Sequence, residues 1–315
     1  MKIFFYFTIL IILSFEAKAQ NEIIKIESKN IELIKFTSPD DKFPGKDEII
    51  AEIHLPKKKL ENISVIVVQH GSNRDTFKFQ KWDGKSDEWA KRIVKKGIEN
   101  GYAVAVIDAF YKKGLKPGDK KKFPNASLYA ITLKDILSED LRFNKNNFFY
   151  TGFSFGGGSA TKFLDERMKD KLTIPWKGIV SSEPPCNTVS YPIKIKSPIL
   201  IIKGEESHYP IRSCIYYAKI IREKGNNIEL ISIPKVNHFF SFNGKIVKGI
   251  AVNGCPDNIA FTYPDGSWKF ADGTSATRKE VAKKCISDRG GSGKTREKLD
   301  LAVDYTLNFF NKYNN

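Results

Sequence analysis

Cysteine and histidine are scarce. The 315-residue chain holds four of each. No two cysteines form a C-x-x-C pair and no histidines cluster, so no zinc-ligand pattern exists and zinc is not expected. Long apolar runs are lacking too. The stretch from Ile3 to Phe15 is broken only by Thr8 and Ser14, but it falls well short of the roughly 20 residues that a bilayer-crossing helix needs. No other segment comes closer, so no membrane span is expected. There is no internal repeat and no sign of a second domain. Acidic residues are in deficit, 36 against 52 basic ones, for a net charge of +16. The lysines fall in short separate runs (Lys57 to Lys59, Lys95-Lys96, Lys112-Lys113, Lys120 to Lys122) at expected loops and helix ends, without a nucleic-acid-binding motif. They read as solvated faces, and no specific nucleic-acid partner is expected.

The amino end does carry a pattern. Lys2, the apolar run and Ala17-Lys18-Ala19 before Gln20 have the form of a secretory signal over residues 1–19. The expectation is a soluble chain, secreted or periplasmic, with residues 20–315 forming one domain. In an oxidising compartment the even number of cysteines favours disulfides. The expected pairs are Cys186–Cys214, joining two neighbouring loops, and Cys255–Cys285, closing a glycine-rich excursion over about 243–293.

Periodicity gives the fold class. Glu22 to Glu27, Ile31 to Phe36 and Glu48 to Leu55 alternate as antiparallel strands do. Ile63 to Gln69 and Tyr102 to Ile107 are nearly continuous β-branched runs, as in strands buried on both faces. Gly178 to Ser182, Pro198 to Ile202 and Ile228 to Ile233 continue the strands. Helical spacing appears at Ser86 to Glu99, Ser127 to Leu141, Ser159 to Lys169, Ile211 to Glu223 and Lys298 to Phe310. Alternation of this kind predicts an α/β fold, a mostly parallel, doubly wound sheet with antiparallel N-terminal strands.

The chemistry centres on Gly152-Phe153-Ser154-Phe155-Gly156. This is G-x-S-x-G between a strand-like run and a helix-like run, the setting in which a serine hydroxyl is held out at the top of a sheet. A serine nucleophile needs a base, a carboxylate to orient the base, and N–H donors for an oxyanion. After residue 154 only His208 and His238 are available. His238 follows the last strong strand and is the expected base. The expected acid is Glu206, in the loop after Pro198 to Lys203, with Glu205 second and Glu183 third. The expected oxyanion donors are the backbone N–H groups of Phe155 and of Ser72, or Asn73, after His70-Gly71. Phe153, Phe155, Phe239, Phe240 and Tyr111 hint at an aromatic pocket. Asp288 to Thr295 nearly matches a phosphate loop. It lacks the first glycine and any preceding buried strand, so nucleotide binding is not expected.

These residues resemble the dienelactone hydrolase family of the α/β-hydrolase superfamily over roughly residues 60–312. The resemblance is carried by His70-Gly71-Ser72, Asp108-Ala109-Phe110, Gly152 to Gly157, Gly204-Glu205-Glu206 with Pro210 and Cys214, and His238-Phe239-Phe240. It implies an α/β-hydrolase fold and cleavage of a small-molecule carboxylic ester or lactone without a metal or an organic cofactor. The family's best-known members use a cysteine nucleophile where this chain has Ser154. Its usual acid, an aspartate, would stand where this chain has Ser207. Two other readings fit the same residues: a non-catalytic binding protein on this fold, or a peptidase.

Overall fold

In the computed structural model the described residues are 22–26, 30–58, 61–73, 88–189, 191–241, 249–251, 258–284, 287–289 and 296–314. Residues 1–19, Cys255 and Cys285 lie outside them, as does residue stretch 290–295 of the phosphate-loop near-match. The antiparallel strands β1 (Glu22–Ile26), β2 (Ile31–Thr37) and β3 (Glu48–His54) come first, followed by β4 (Ile63–Gln69). Then α1 (Trp89–Glu99), β5 (Ala103–Asp108), α2 (Ala126–Ser138), β6 (Phe143–Phe153) and α3 (Phe155–Ala160) follow. The second half holds β7 (Gly178–Ser182), β8 (Ile199–Gly204), α4 (Ile211–Glu223) and β9 (Ile228–Ile233). Five short pieces come next: β10 (Gly249–Ala251), β11 (Ala260–Thr262), β12 (Trp268–Phe270), β13 (Ser275–Ala276) and α5 (Arg278–Lys284). The chain closes with β14 (Ser287–Arg289) and the long α6 (Arg296–Tyr313).

β1 to β9 form one nine-stranded sheet in the order β1-β2-β3-β5-β4-β6-β7-β8-β9. β1, β2, β3 and β5 pair antiparallel, while every pairing from β5 through β4 to β9 is parallel. Alternate residues of the buried strands divide between two cores, because successive side chains on a strand point to opposite faces. Val65, Val67, Phe148, Tyr150, Ile179 and Ile201 pack on one face with Tyr129 of α2 and Tyr217 of α4. Ile66, Val68, Phe149, Val180 and Ile202 pack on the other with Trp89 of α1 and Phe310 of α6. The sheet is thus covered on both faces, which is why its central strands read as continuous apolar runs.

Two expectations change. The helix foreseen over Ser159 to Lys169 is broken: α3 ends at Ala160 and two 3-10 turns follow, Thr161–Leu164 and Glu166–Lys171. Asp165 between them is extended, bridges to Pro192 and accepts from the N–H of Arg167. A side chain bonded to the backbone two residues on offers an alternative to a helical bond, and here it stops the helix. The excursion over 243–293 is also more ordered than its weak periodicity implies. β11, β12 and β13 form an antiparallel meander, and it docks on the outer side of α4 through the Tyr216–Phe261 ring contact at 4.9 Å.

Candidate active site

The first four parallel strands used by the site end in loops that carry its polar groups, and β9 delivers the imidazole. The strand order reverses around β4, with β5 on one side and β6 on the other. In open α/β sheets a crevice forms at such a switch point, outside the carboxyl ends of the strands.

Ser154 follows β6 directly and has φ 52 and ψ −102, a backbone region that side chains rarely occupy and that recurs at functional sites. The turn is tight enough to need glycine. A Cβ on Gly152 would collide with the backbone of Gly156, and one on Gly156 would collide with the Gln69 carbonyl of β4. The Ser154 N–H donates to the Ser182 carbonyl of β7 at 2.9 Å, which fastens the turn to the neighbouring strand. The hydroxyl stands 2.9 Å from His238 Nε2.

His238 Nδ1 lies 2.8 Å from Oε2 of Glu183. This corrects the sequence reading, which put Glu206 there. Glu205 and Glu206 are exposed, whereas Glu183 is fully buried at the end of β7, with φ 53. Its carboxylate is surrounded by donors. Oε2 accepts from Lys203 Nζ at 2.8 Å and from Ser207 Oγ at 2.9 Å as well as from His238, and Oε1 accepts from the Gly204 N–H. Burial pushes the Glu183 carboxyl upward. The Lys203 ammonium, then His238 and the Gly204 N–H, outweigh it and hold the group at about 2. Burial also lowers the His238 imidazole below its usual value. Glu183 opposes that, while Lys203 and Lys120 add to it. The ring is therefore neutral near neutral pH. Its Nδ1 carries the proton toward Glu183, which leaves the Nε2 lone pair for the Ser154 hydroxyl.

His208 serves as packing beside this line of groups. Its ring lies 4.8 Å from that of His238 and stacks on Phe239 at 5.3 Å. Burial, followed by repulsion from His238 and Lys203, drops it to about 3, so it stays neutral. His70 is fully buried. Its Nε2 accepts from the Ala109 N–H at 3.1 Å, so the proton sits on Nδ1 and is donated to the Gly71 carbonyl. A trans peptide points its N–H opposite to its C=O. Gripping the Gly71 carbonyl therefore fixes the direction of the Ser72 N–H.

Ser72, Asn73, Ser154, Phe155 and His238 all face one cavity of about 530 Å3. Its apolar wall differs in part from expectation. Phe155 and Phe239 line it together with Phe123, which packs on Phe155 at 4.9 Å. Phe153 and Phe240 belong to the core instead. No described residue of the 243–293 excursion lines this cavity. Cys186 and Cys214 are bonded to each other, which ties the loop after Glu183 to α4. Among the described residues no group of three or more His, Cys, Asp or Glu side chains is arranged to hold a metal ion.

The Glu183 assignment was the part sequence reasoning ranked too low. Its signal was a charged residue closing an apolar strand just before Pro184-Pro185. A carboxylate is seldom fully buried without a partner.

A doubly wound sheet with a serine on the turn after a central strand, in contact with a histidine from the last strand, defines a serine hydrolase of the α/β-hydrolase fold. The chain belongs to the dienelactone hydrolase family, whose family model matches residues 77–253. Among solved structures it is similar to a presumptive dienelactone hydrolase from Klebsiella pneumoniae. The identity is 12%, with 90% of this chain and 99% of that one covered, at a TM-score of 0.55. It is also similar to the butyrate-bound form of the thermophilic esterase Est2 from Thermogutta terrifontis. Here the identity is 13%, with 87% and 94% covered, at a TM-score of 0.50. No curated protein matches the sequence.

Proposed function

We propose that the protein cleaves carboxylic esters or lactones through an acyl-enzyme on Ser154. The carrying observation is the unbroken line from the Ser154 hydroxyl to His238 at 2.9 Å and on to Glu183 at 2.8 Å. Ser154 Oγ attacks the carbonyl carbon while its proton passes to His238 Nε2. Glu183 keeps the imidazole in the right tautomer and stabilises its charge. The tetrahedral oxyanion is held by the N–H groups of Phe155, the first residue of α3, and of Ser72. The bond to the leaving oxygen then breaks, and that oxygen takes the proton from His238. Water repeats the sequence on the acyl-enzyme, releasing the acid and restoring Ser154. The Ala17-Lys18-Ala19 pattern favours export before the protein acts.

A fluorophosphonate probe tests this reading. It is expected to label the wild-type protein and not Ser154→Ala. Turnover of a short p-nitrophenyl ester is expected to fall about 10³- to 10⁴-fold in Glu183→Gln, the scale on which a triad carboxamide acts, and to stay near wild type in Glu206→Gln. Undiminished labelling of Ser154→Ala would place the nucleophile elsewhere and overturn the assignment, whereas a wild-type protein that takes no label and turns over no ester would favour the binding protein.

A further inference from the structure

The cavity at Ser154 has an unbalanced wall. Lys42, Lys120 and Lys162 line it, and no described carboxylate does. Nor does a described carboxylate lie within ion-pair distance of any of the three. Lys42 Nζ donates to the Phe123 carbonyl at 2.8 Å, Lys120 Nζ to the Tyr209 hydroxyl at 3.3 Å, and Lys162 Nζ to Asn125 Oδ1 at 3.3 Å. Asp40, whose charge is felt at Lys162, is already committed. It accepts from the Lys42 and Asn125 backbone N–H groups and from the Tyr129 hydroxyl.

Lys162 is also the junction to a second cavity. This one measures about 400 Å3 and shares Gly158, Lys162 and Pro185 with the first. It adds Arg167 and Lys171, and its one carboxylate, Asp165, is clasped by Arg167 through both oxygens. Burial, with repulsion from Lys42 and Arg167, draws the Lys162 ammonium down to about 8 against the pull of Asp40 and Asp165. A half-buried cation with no carboxylate in ion-pair contact gains from an arriving anion.

The direction of the second cavity matters. A leaving oxygen must reach His238 Nε2, so the leaving group lies on the side walled by Tyr209 and Phe239. The second cavity instead follows the segment after Ser154, through Gly158, Thr161 and Lys162. An ester whose leaving oxygen faces His238 would send its acyl part this way.

We infer that the two cavities form one trough for an extended ester whose acyl part carries at least two anionic groups, one seated on Lys162 and the next at Lys171, with the scissile carbonyl at Ser154. This rests on the hydrolase reading above, and the test separates the two.

The probes are p-nitrophenyl hexanoate, mono-p-nitrophenyl adipate, and that half-ester extended through an amide to aspartate. They carry no carboxylate, one and two. At low salt, kcat/KM is expected to rise by about tenfold for the first charge, the equivalent of about 1.4 kcal/mol, and to rise again for the extended probe. The gain should shrink as salt is added, since exposed charges are screened. Lys162→Met should erase most of the preference for the adipate over the hexanoate. Lys171→Met, at an exposed position, should erase only the further gain of the extended probe. Free adipoyl-aspartate titrated calorimetrically into Ser154→Ala protein should bind, and should bind more weakly once Lys162→Met is added. Ser154-dependent cleavage of the hexanoate with no preference for charge and no calorimetric binding would overturn the trough and leave the hydrolase standing. Binding of adipoyl-aspartate without cleavage of any ester would do the reverse.

Discussion

Glu183 stands at the meeting point of four donors from two segments of chain, and Lys203 is the one that carries charge. With Lys203 and Glu183 paired, the imidazolium formed during turnover has a partner already half spent. Lys203→Met removes a positive charge 2.8 Å from Glu183. The groups facing His238 would then be Glu183, Lys120 and neutral His208. His238 should become more basic, so the acid limb of the kcat/KM profile should move to higher pH. A merely structural role for Lys203 would lower the amplitude without moving the limb. Glu183 itself adds an acid sensitivity. Its carboxyl is held below the usual 4.5, at about 2, so its contribution to stability is complete above 4.5 and is lost as pH falls toward 2. Ser154 and His238 were legible in the sequence because each is announced locally, one by its glycines and one by the strand it follows. The acid was not. Glu205 and Glu206 sat in the expected loop, and nothing in the linear order says that β7 and not β8 ends with its carboxylate against the imidazole. Ser207, at the place an aspartate would take, contributes a hydroxyl to Glu183 instead.

At the scale of elements, the strands of the main sheet other than β6 were readable within about two residues, since burial on both faces writes itself as β-branched runs, and α1, α2, α4 and α6 within about three. The helix after Ser154 was not, because a single side-chain bond at Asp165 overrides helical spacing. The loop after β7 depends on a covalent brace. The Cys186–Cys214 bond spans 28 residues of sequence, and a loop of that size implies about 3–4 kcal/mol in the chain-entropy account. Melting curves with and without reductant check this. The reduced protein, or the Cys186→Ala/Cys214→Ala double variant, should melt lower and lose kcat more than KM, because the brace holds the segment that begins at Glu183. An unchanged melting temperature would mean that the bond adds nothing to the fold.

For the molecule as a whole, stability rests on two cores kept apart by the sheet. α6 closes one of them, and Phe310 is fully buried there with its ring 4.8 Å from that of Phe149. Phe310→Ala should cost about 3–5 kcal/mol, read from urea unfolding. The excess of positive charge was visible in composition, but its meaning was not. Counting lysines cannot tell a solvated face from a wall around a cavity. The same molecule carries a built-in asymmetry. β6 and β7 are in register from Phe149–Gly178 to Phe153–Ser182, so the serine and the carboxylate each follow directly on the last rung of one ladder and cannot drift apart without tearing it. The imidazole arrives separately, on the outermost strand, β9, which is paired on one side only. Gentle heating or cosolvent should therefore silence this protein by loosening residues 234–241 while spectroscopy still reports an intact sheet.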